Sequence, residues 1–319
     1  MFMHRKETYL LEPWGSQFNL SYDEVINLGF KFWHQKLHER SFLVFKGFDP
    51  KLSDADFFKI GSLVGKTWDK EGYEAATKTK NGVSFDTSTM ESKASNPVSY
   101  FYSDRSMFGK RSMSYHADMP HTAASGHQAY PARALFMVNT AKNGSGKTTW
   151  LDLEGTWAQL TSKEKQLYAD CQIQQHHMYQ PDKSIEVFPF LKTNPWTGKV
   201  SPRLNCIQWV PEGTAWIRRI IRNGVVLSIQ ESVDIVERLF ELLESKQNSM
   251  YTHTWDNGDV LLYSNWPSVH CREEVTMGPN NERRELKRIT IDLVYPDDFV
   301  PEGTAPIIPI PRYKDYQLN

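Results

Sequence analysis

The hydrophobic pattern in the N-terminal part of the chain predicts alternating helices and strands. Apolar residues recur at helical spacing after Ser21, and serine is a favoured residue at the start of a helix. Residues 41–48 (SFLVFKGF) predict a strand, and Ser53 precedes a second, shorter helical pattern. Together these elements predict an N-terminal α/β layer over residues 1–66.

The segment 67–97 is polar, rich in serine, threonine and lysine, and has no sustained hydrophobic period. This pattern predicts a long surface loop. Within a compact domain, such a loop is usually either a lid that closes over a functional site or a flexible insertion, and both interpretations stay open.

Short apolar and aromatic segments separated by turns dominate residues 98–296 and predict a set of short strands. Two helices interrupt them, one opened by a capping box of Thr161 and Glu164 and the other opened by Ser232. Many short strands with few helices predict a sandwich or a jelly roll. The strands are predicted at residues 99–104, 116–119, 132–140, 148–153, 203–210, 259–266 and 287–295.

The proline-rich segment 297–319 predicts an extended tail rather than a helix or strand. The sequence contains no internal repeat and no composition shift that marks a second domain. We therefore expect a single domain over residues 1–319. Edge strands and the tail are candidate surfaces for a homo-oligomer, but the sequence does not fix the oligomeric state.

Composition narrows the class of protein. The 319 residues are 39% hydrophobic and 13% aromatic, which is enough to build a large core. A net charge of −1 provides no overall field for nucleic acid or an anionic membrane, the apolar runs are too short to span a bilayer, and residues 1–7 lack a signal-peptide core. The three cysteines form no CxxC pair, so we expect a soluble protein in a reducing, cytoplasmic setting.

The first candidate for chemistry is the pair His116 and Asp118. Alternate side chains of a strand leave on the same face, so both can reach one point if this segment is extended. An isolated His-x-Asp is more often structural. A second cluster makes a functional site more plausible, because His270 follows a predicted strand and is itself followed by a second one. If this second strand begins early enough, one of its faces carries Arg284, Leu286, Arg288 and Thr290, and the other carries Ile289, Ile291 and Leu293.

Arginines on the inward face of a β-sandwich are costly unless each meets an anion, and a dicarboxylate ligand would provide one. Two histidines and one carboxylate with open coordination positions are typical of non-haem Fe(II) oxygenases.

Five segments resemble motifs of the Fe(II)/2-oxoglutarate-dependent dioxygenases of the taurine dioxygenase (TauD/TfdA) family. Residues 115–118 (YHAD) resemble W-H-x-D, residues 146–150 (GKTTW) resemble G-D-T-x-W/F, and residues 258–265 (GDVLLYSN) resemble G-D-x-x-x-W-D-N. His270 and residues 283–288 (RRELKR) resemble the distal histidine and the paired arginines. The family fold is a double-stranded β-helix, a cupin-like jelly roll. The resemblance therefore implies an α+β protein with that core at 98–296 and flanking helices.

The resemblance also implies roles for individual residues. Thr148 and Arg284 would hold the distal carboxylate of the cosubstrate 2-oxoglutarate, and Arg288 would lie near its other carboxylate or near the primary substrate. O2 would take the remaining position on the metal. The implied Fe(II) ligands are His116, Asp118 and His270.

The chain departs from the family pattern at several positions. Lys147 and Ser264 replace acids and Tyr115 replaces tryptophan, although none of these is an implied metal ligand. The interval between His270 and the arginines is a few residues longer than usual, so the choice of Arg284 over Arg283 rests on the R-R-x-x-x-R spacing.

The expected function is oxidation of a small molecule by hydroxylation, desaturation or cyclisation. The polar 67–97 segment and the arginines favour a substrate with a carboxylate or sulfonate, such as an amino-acid derivative or an intermediate in natural-product biosynthesis. His121 and His127 are expected to contact substrate or solvent rather than metal. The alternative is a non-catalytic, cupin-like protein that binds a metal or ligand, but Thr148 and the arginine pair argue against it.

Overall fold

A computed structural model describes residues 7–11, 14–68, 98–102, 112–118, 132–141, 144–175, 186–204, 218–276 and 284–293. The helices are α1 (Tyr22–Arg40), α2 (Asp54–Gly61), α3 (Leu153–Ala158), α4 (Ser162–Ala169) and α5 (Ile229–Glu244). The strands are β1 (Glu7–Leu11), β2 (Gly15–Phe18), β3 (Phe42–Phe45), β4 (Lys66–Thr67), β5 (Ser99–Tyr102), β6 (Met113–His116), β7 (Ala132–Asn139), β8 (Thr148–Asp152), β9 (Cys171–Gln175), β10 (Glu186–Pro189), β11 (Leu191–Thr193), β12 (Val200–Pro202), β13 (Arg218–Arg222), β14 (Val225–Val226), β15 (Met250–His253), β16 (Val260–Ser264), β17 (Ser268–Arg272) and β18 (Glu285–Asp292).

Two sheets form the core of the fold. The major sheet has the strand order β1-β2-β3-β16-β7-β18-β4, with β5 also paired to β18, and the minor sheet has the order β15-β8-β17-β6. Their strands pair antiparallel except for β2 with β3. A further sheet, β10-β9-β13-β14, and the pair β11-β12 lie outside this core. Strands distant in sequence are neighbours in both sheets, as in a jelly roll.

Alternation along the strands separates the apolar residues into layers. In β3, Leu43 and Phe45 pack with helices α1 and α2 on the outer face of the major sheet. Phe42 and Val44 point the other way and pack with Trp150 of the minor sheet. The region between the two sheets is therefore largely apolar, and polar side chains that enter it are costly unless they are paired.

Most predicted helix starts are confirmed. Ser21 and Thr161 each form a capping box with the glutamate three residues later, and Ser53 caps α2. The predicted start at Ser232 is wrong because α5 begins at Ile229, capped by Ser228.

The Ser232 hydroxyl lies inside the first turn of α5. It donates to the Ser228 carbonyl and accepts from the N–H of Ile220 in β13. The serine therefore joins the helix to the neighbouring strand. The sequence analysis took Ser232 as the start of the helix. In the structure, the capping box is formed by Ser228 and by Glu231, three residues later.

Several predictions lie outside the described residues. These include most of the 67–97 segment, the 297–319 tail and most of the strand predicted at 203–210, of which Arg203 and Leu204 are described and are not in a strand. The division of the chain into segments stays a prediction. Strands β1 to β3 of the N-terminal layer continue the major sheet. No helix in the described ranges is long and apolar enough to cross a membrane.

A buried histidine gives the fold a predicted dependence on pH. His34 lies on the buried face of α1 with Nδ1–H donating to the Val64 carbonyl at 2.7 Å, and burial lowers its pKa to about 4. The unfolded chain therefore takes up this proton first as pH falls below about 6.5, so stability is lost between about pH 6.5 and pH 4. We expect His34 to account for a loss of about 2 kcal/mol between pH 7.5 and pH 5.

Urea unfolding at these two pH values, for the wild type and His34→Asn, measures this contribution. Asparagine keeps a donor near the position of Nδ1 but does not titrate. The variant should therefore lose less stability on acidification, even if it is less stable at both pH values. Equal losses in the two proteins would contradict the assignment.

Candidate metal centre

The structure brings His116, Asp118 and His270 together between the two sheets. One ligand atom from each residue lies within 4.8 Å of the others. His116 at the end of β6 lies directly opposite His270 in β17, and their ring centroids are 4.3 Å apart. The strand predicted at 116–119 is wrong in its extent because β6 ends at His116. Asp118 lies just beyond the strand and still reaches the centre.

Both histidines are neutral and present a ring nitrogen to the centre. His116 Nδ1 lies 2.8 Å from the Ser114 carbonyl, which only accepts, so Nδ1 carries the proton and Nε2 keeps its lone pair. Burial lowers the pKa of His116, and burial followed by the charge of His116 lowers that of His270 to about 3. His270 Nε2 lies 3.8 Å from the Asp118 carboxylate. A neutral imidazole is the form that binds metal, and at His116 its tautomer is fixed as well.

The Asp118 carboxylate is held by groups from the major sheet. Arg133 donates through Nε to Oδ2 at 3.1 Å, and the Tyr263 hydroxyl donates to the same oxygen at 2.7 Å. Arg288 lies 3.7 Å from Oδ1. Burial by itself raises the pKa of Asp118, but the charges of Arg133 and Arg288 hold it well below the usual range. The group is therefore a carboxylate at neutral pH.

Tyr263, Arg133 and Thr290 form one row across three paired strands of the major sheet, and the Arg133 guanidinium also donates to the Thr290 hydroxyl. The sequence analysis missed these contacts. One signal was available at Tyr263, which stands where the G-D-x-x-x-W-D-N pattern has tryptophan. The sequence gives no comparable signal for Arg133.

Asn265 fixes the backbone beside the centre. Its side-chain oxygen accepts from the N–H of Asp118 at 3.1 Å, and its carbonyl accepts from Lys192 Nζ at 3.2 Å. Lys192 is buried, and burial holds its pKa well below the usual range. The loop that carries Asp118 is thus tied to the turn that precedes His270.

Thr148, at the start of β8, and Arg284, just before β18, are both buried. Thr148 Oγ1 accepts a hydrogen bond from Trp255 Nε1 at 3.0 Å, which leaves the threonine hydroxyl hydrogen to donate elsewhere. Arg284 is 4% exposed, and burial followed by the charge of Arg272 lowers its pKa to about 9. Gly146 has a φ of +73°, and a Cβ there would lie 2.8 Å from Val275 and 3.6 Å from Arg284.

The predicted alternation in β18 is confirmed. Leu286 packs between the sheets, and Arg288 and Thr290 reach Asp118 and Arg133 from the same inward face. On the other face, Ile289, Ile291 and Leu293 pack in the outer cluster.

Among the described residues, one group of three or more histidine, cysteine or acidic side chains could hold a metal ion. This group is His116, Asp118 and His270. His253 lies elsewhere, between Tyr251 and the buried Asp259. His121, His127 and Arg283 lie outside the described ranges.

A jelly roll with two histidines and a carboxylate converging between its sheets defines the class of non-haem Fe(II) dioxygenases. The family model described as "Taurine catabolism dioxygenase TauD, TfdA family" matches residues 7–290. The chain belongs to this family, and it is an Fe(II)/2-oxoglutarate-dependent dioxygenase that consumes O2. This assignment gives no support to the alternative of a non-catalytic cupin-like protein.

Solved structures share the fold at low sequence identity. AAD-2, in complex with Mn(II) and N-oxalylglycine, is 14% identical with a TM-score of 0.58, covering 95% of this chain and 99% of that one. A taurine dioxygenase from Burkholderia xenovorans is also 14% identical with a TM-score of 0.58, covering 88% of this chain and 86% of that one. The predicted α+β jelly roll is thereby confirmed. A comparison with curated proteins found no significant match.

Proposed function

We propose that this dioxygenase oxidises a small anionic substrate at an Fe(II) centre formed by His116, Asp118 and His270. The observation that carries the proposal is the convergence of these three side chains, with ligand atoms within 4.8 Å of one another. Two neutral imidazoles and one carboxylate would hold a metal ion with three ligands and leave positions for 2-oxoglutarate and O2.

The protein supplies orientation and charge. Ser114 fixes the tautomer of His116, while Arg133 and Tyr263 hold the carboxylate of Asp118 in one position. Trp150 and Tyr263 pack against the His270 ring and keep bulk water from that side. When bound, iron and 2-oxoglutarate would supply the oxidising chemistry: one oxygen atom of O2 enters succinate as 2-oxoglutarate loses CO2, and the other enters a hydroxylated product or leaves as water when two hydrogens are removed from the substrate.

In this proposal, Thr148 and Arg284 bind the distal carboxylate of 2-oxoglutarate. A guanidinium matches a carboxylate with two parallel N–H donors, so lysine would be a poor replacement for Arg284. The buried position of Arg284 supports this role because a charged group between apolar sheets is stabilised by an anionic partner.

The same charge argument favours an anionic primary substrate. Four arginines face the region between the sheets. The two positive charges of Fe(II) equal the two negative charges of 2-oxoglutarate, so binding both leaves the net charge of this region unchanged. Arg288, 3.7 Å from Asp118, is the candidate contact for a substrate carboxylate or sulfonate. Hydroxylation, desaturation and cyclisation all begin with hydrogen removal, so the product depends on the substrate. The four arginines are Arg133, Arg272, Arg284 and Arg288.

An anaerobic titration tests the proposal. Adding 2-oxoglutarate to the Fe(II)-loaded protein is expected to produce a weak visible charge-transfer band because the keto acid chelates the metal. Fe(II) alone, and Zn(II) with 2-oxoglutarate, should give no such band. A folded, Fe(II)-loaded protein that shows no band with excess 2-oxoglutarate would contradict the proposal. Succinate release across a panel of carboxylates and sulfonates then identifies the substrate.

A further inference from the structure

The minor sheet arranges its inward side chains in two rows. In the first row, Trp150, His270 and His116 lie opposite one another on β8, β17 and β6. Two residues further along β17, Arg272 lies directly opposite Thr148 of β8. Directly opposite residues of antiparallel strands point to the same face. Arg272 is therefore one row, about 7 Å, from the metal-centre histidines and beside Thr148.

Arg284 approaches the same place from the major sheet. A Cβ at Gly146, two residues before Thr148, would lie 3.6 Å from the Arg284 side chain, so Arg284 reaches the β8 end at which Thr148 and Arg272 are paired. Arg284 is 4% exposed and Arg272 is partly buried, and an anion bound between two such cations would stabilise both.

We propose that Arg272 binds the distal carboxylate of 2-oxoglutarate together with Thr148 and Arg284. This inference rests on the proposed function of the metal centre. A carboxylate has two oxygens with about four acceptor sites, so it can accept from two guanidinium groups and a hydroxyl at once. The resemblance to the family assigned no role to Arg272.

The most informative variant is Arg272→Gln, because it keeps a polar side chain but removes the positive charge and the paired N–H donors of the guanidinium. The experiment uses the full-length protein loaded with Mn(II), without primary substrate, and measures 2-oxoglutarate binding by calorimetry. We expect the dissociation constant to rise about 10- to 100-fold, with Mn(II) affinity nearly unchanged. Arg284→Gln should show at least as large a loss. Arg238→Gln on the exposed face of α5 is the matched control and should bind as the wild type does.

A second ligand separates a direct contact from a structural role. 2-Oxopentanoate has the same keto acid end but lacks the distal carboxylate. Its affinity, although weak, should therefore be similar in the wild type and Arg272→Gln, whereas misfolding or a distorted metal centre would weaken both ligands. Arg272→Lys keeps the positive charge without the paired guanidinium donors. Its dissociation constant for 2-oxoglutarate should therefore lie between those of the wild type and Arg272→Gln.

Two results would overturn the inference: 2-oxoglutarate affinity in Arg272→Gln within twofold of the wild type, or equal losses for 2-oxoglutarate and 2-oxopentanoate. Wild-type protein that binds Mn(II) but no 2-oxoglutarate would instead overturn the proposed function, and this inference with it. The two failures are thus distinguished by the wild-type titration.

Discussion

Replacing His116 with alanine is expected to abolish tight Fe(II) binding and, with it, the absorption band produced by 2-oxoglutarate. His116 supplies one of only three protein donors in the proposed centre, and its tautomer is fixed for that role by Ser114. Loss of an outer partner of a metal ligand already costs about 10- to 100-fold in metal affinity, so loss of a ligand should cost more. Equilibrium Mn(II) binding, followed by electron paramagnetic resonance, measures the effect without turnover.

His121→Ala and His127→Ala are the matched controls. Both histidines follow the His-x-Asp motif closely in the sequence, and we expect them to contact substrate or solvent rather than metal. Their variants should retain wild-type Mn(II) affinity and the absorption band. An Mn(II) affinity in His116→Ala that matches the wild type, or a loss in His127→Ala as large as the one expected for His116→Ala, would show that the ligand set is wrong.

The sequence was most informative where chemistry or capping depends on residues close together. The capping boxes at Ser21 and Thr161 are local patterns, and both are present in the structure. His116 and Asp118 also come together, although the strand ends at His116 and does not include Asp118. The alternation of β18 was also predictable because one of its faces packs in the core. Distant His270 was joined to the pair by the resemblance to the family and not by any local rule.

The contacts that surround Asp118 were not predictable in this way. Arg133 and Tyr263 reach one carboxylate oxygen only because β7 and β16 are neighbours in a sheet that faces β6. A period of two residues says which face a side chain occupies, but it does not say which strands are paired or what lies across the core. Arg272 was overlooked for the same reason, since its importance depends on lying opposite Thr148.

Replacing Arg133 with methionine is expected to destabilise the metal-free protein by about 3 kcal/mol, the lower end of the range for breaking a buried ion pair. The Arg133 side chain is 1% exposed and that of Asp118 is 13% exposed, so the carboxylate would lose its closest cation without gaining water. Tyr263 and Arg288 still contact Asp118, which limits the loss. Urea unfolding of metal-free protein measures this change in free energy.

A double-mutant cycle with Asp118→Asn isolates the ion pair. Removing the carboxylate as well should recover much of the stability lost in Arg133→Met, since no uncompensated charge remains. Strictly additive losses would contradict an ion pair that contributes to the fold.

The same balance of charge at Asp118 predicts how metal binding changes the stability of the Arg133 variant. In metal-free protein Arg133 compensates the charge of Asp118, and in metal-loaded protein the divalent ion contributes to the same compensation. Mn(II) should therefore raise the unfolding free energy of Arg133→Met by more than it raises that of the wild type, while Asp118→Asn should gain little. If Mn(II) stabilises Arg133→Met less than the wild type, the main role of Arg133 is to orient the ligand rather than to balance its charge.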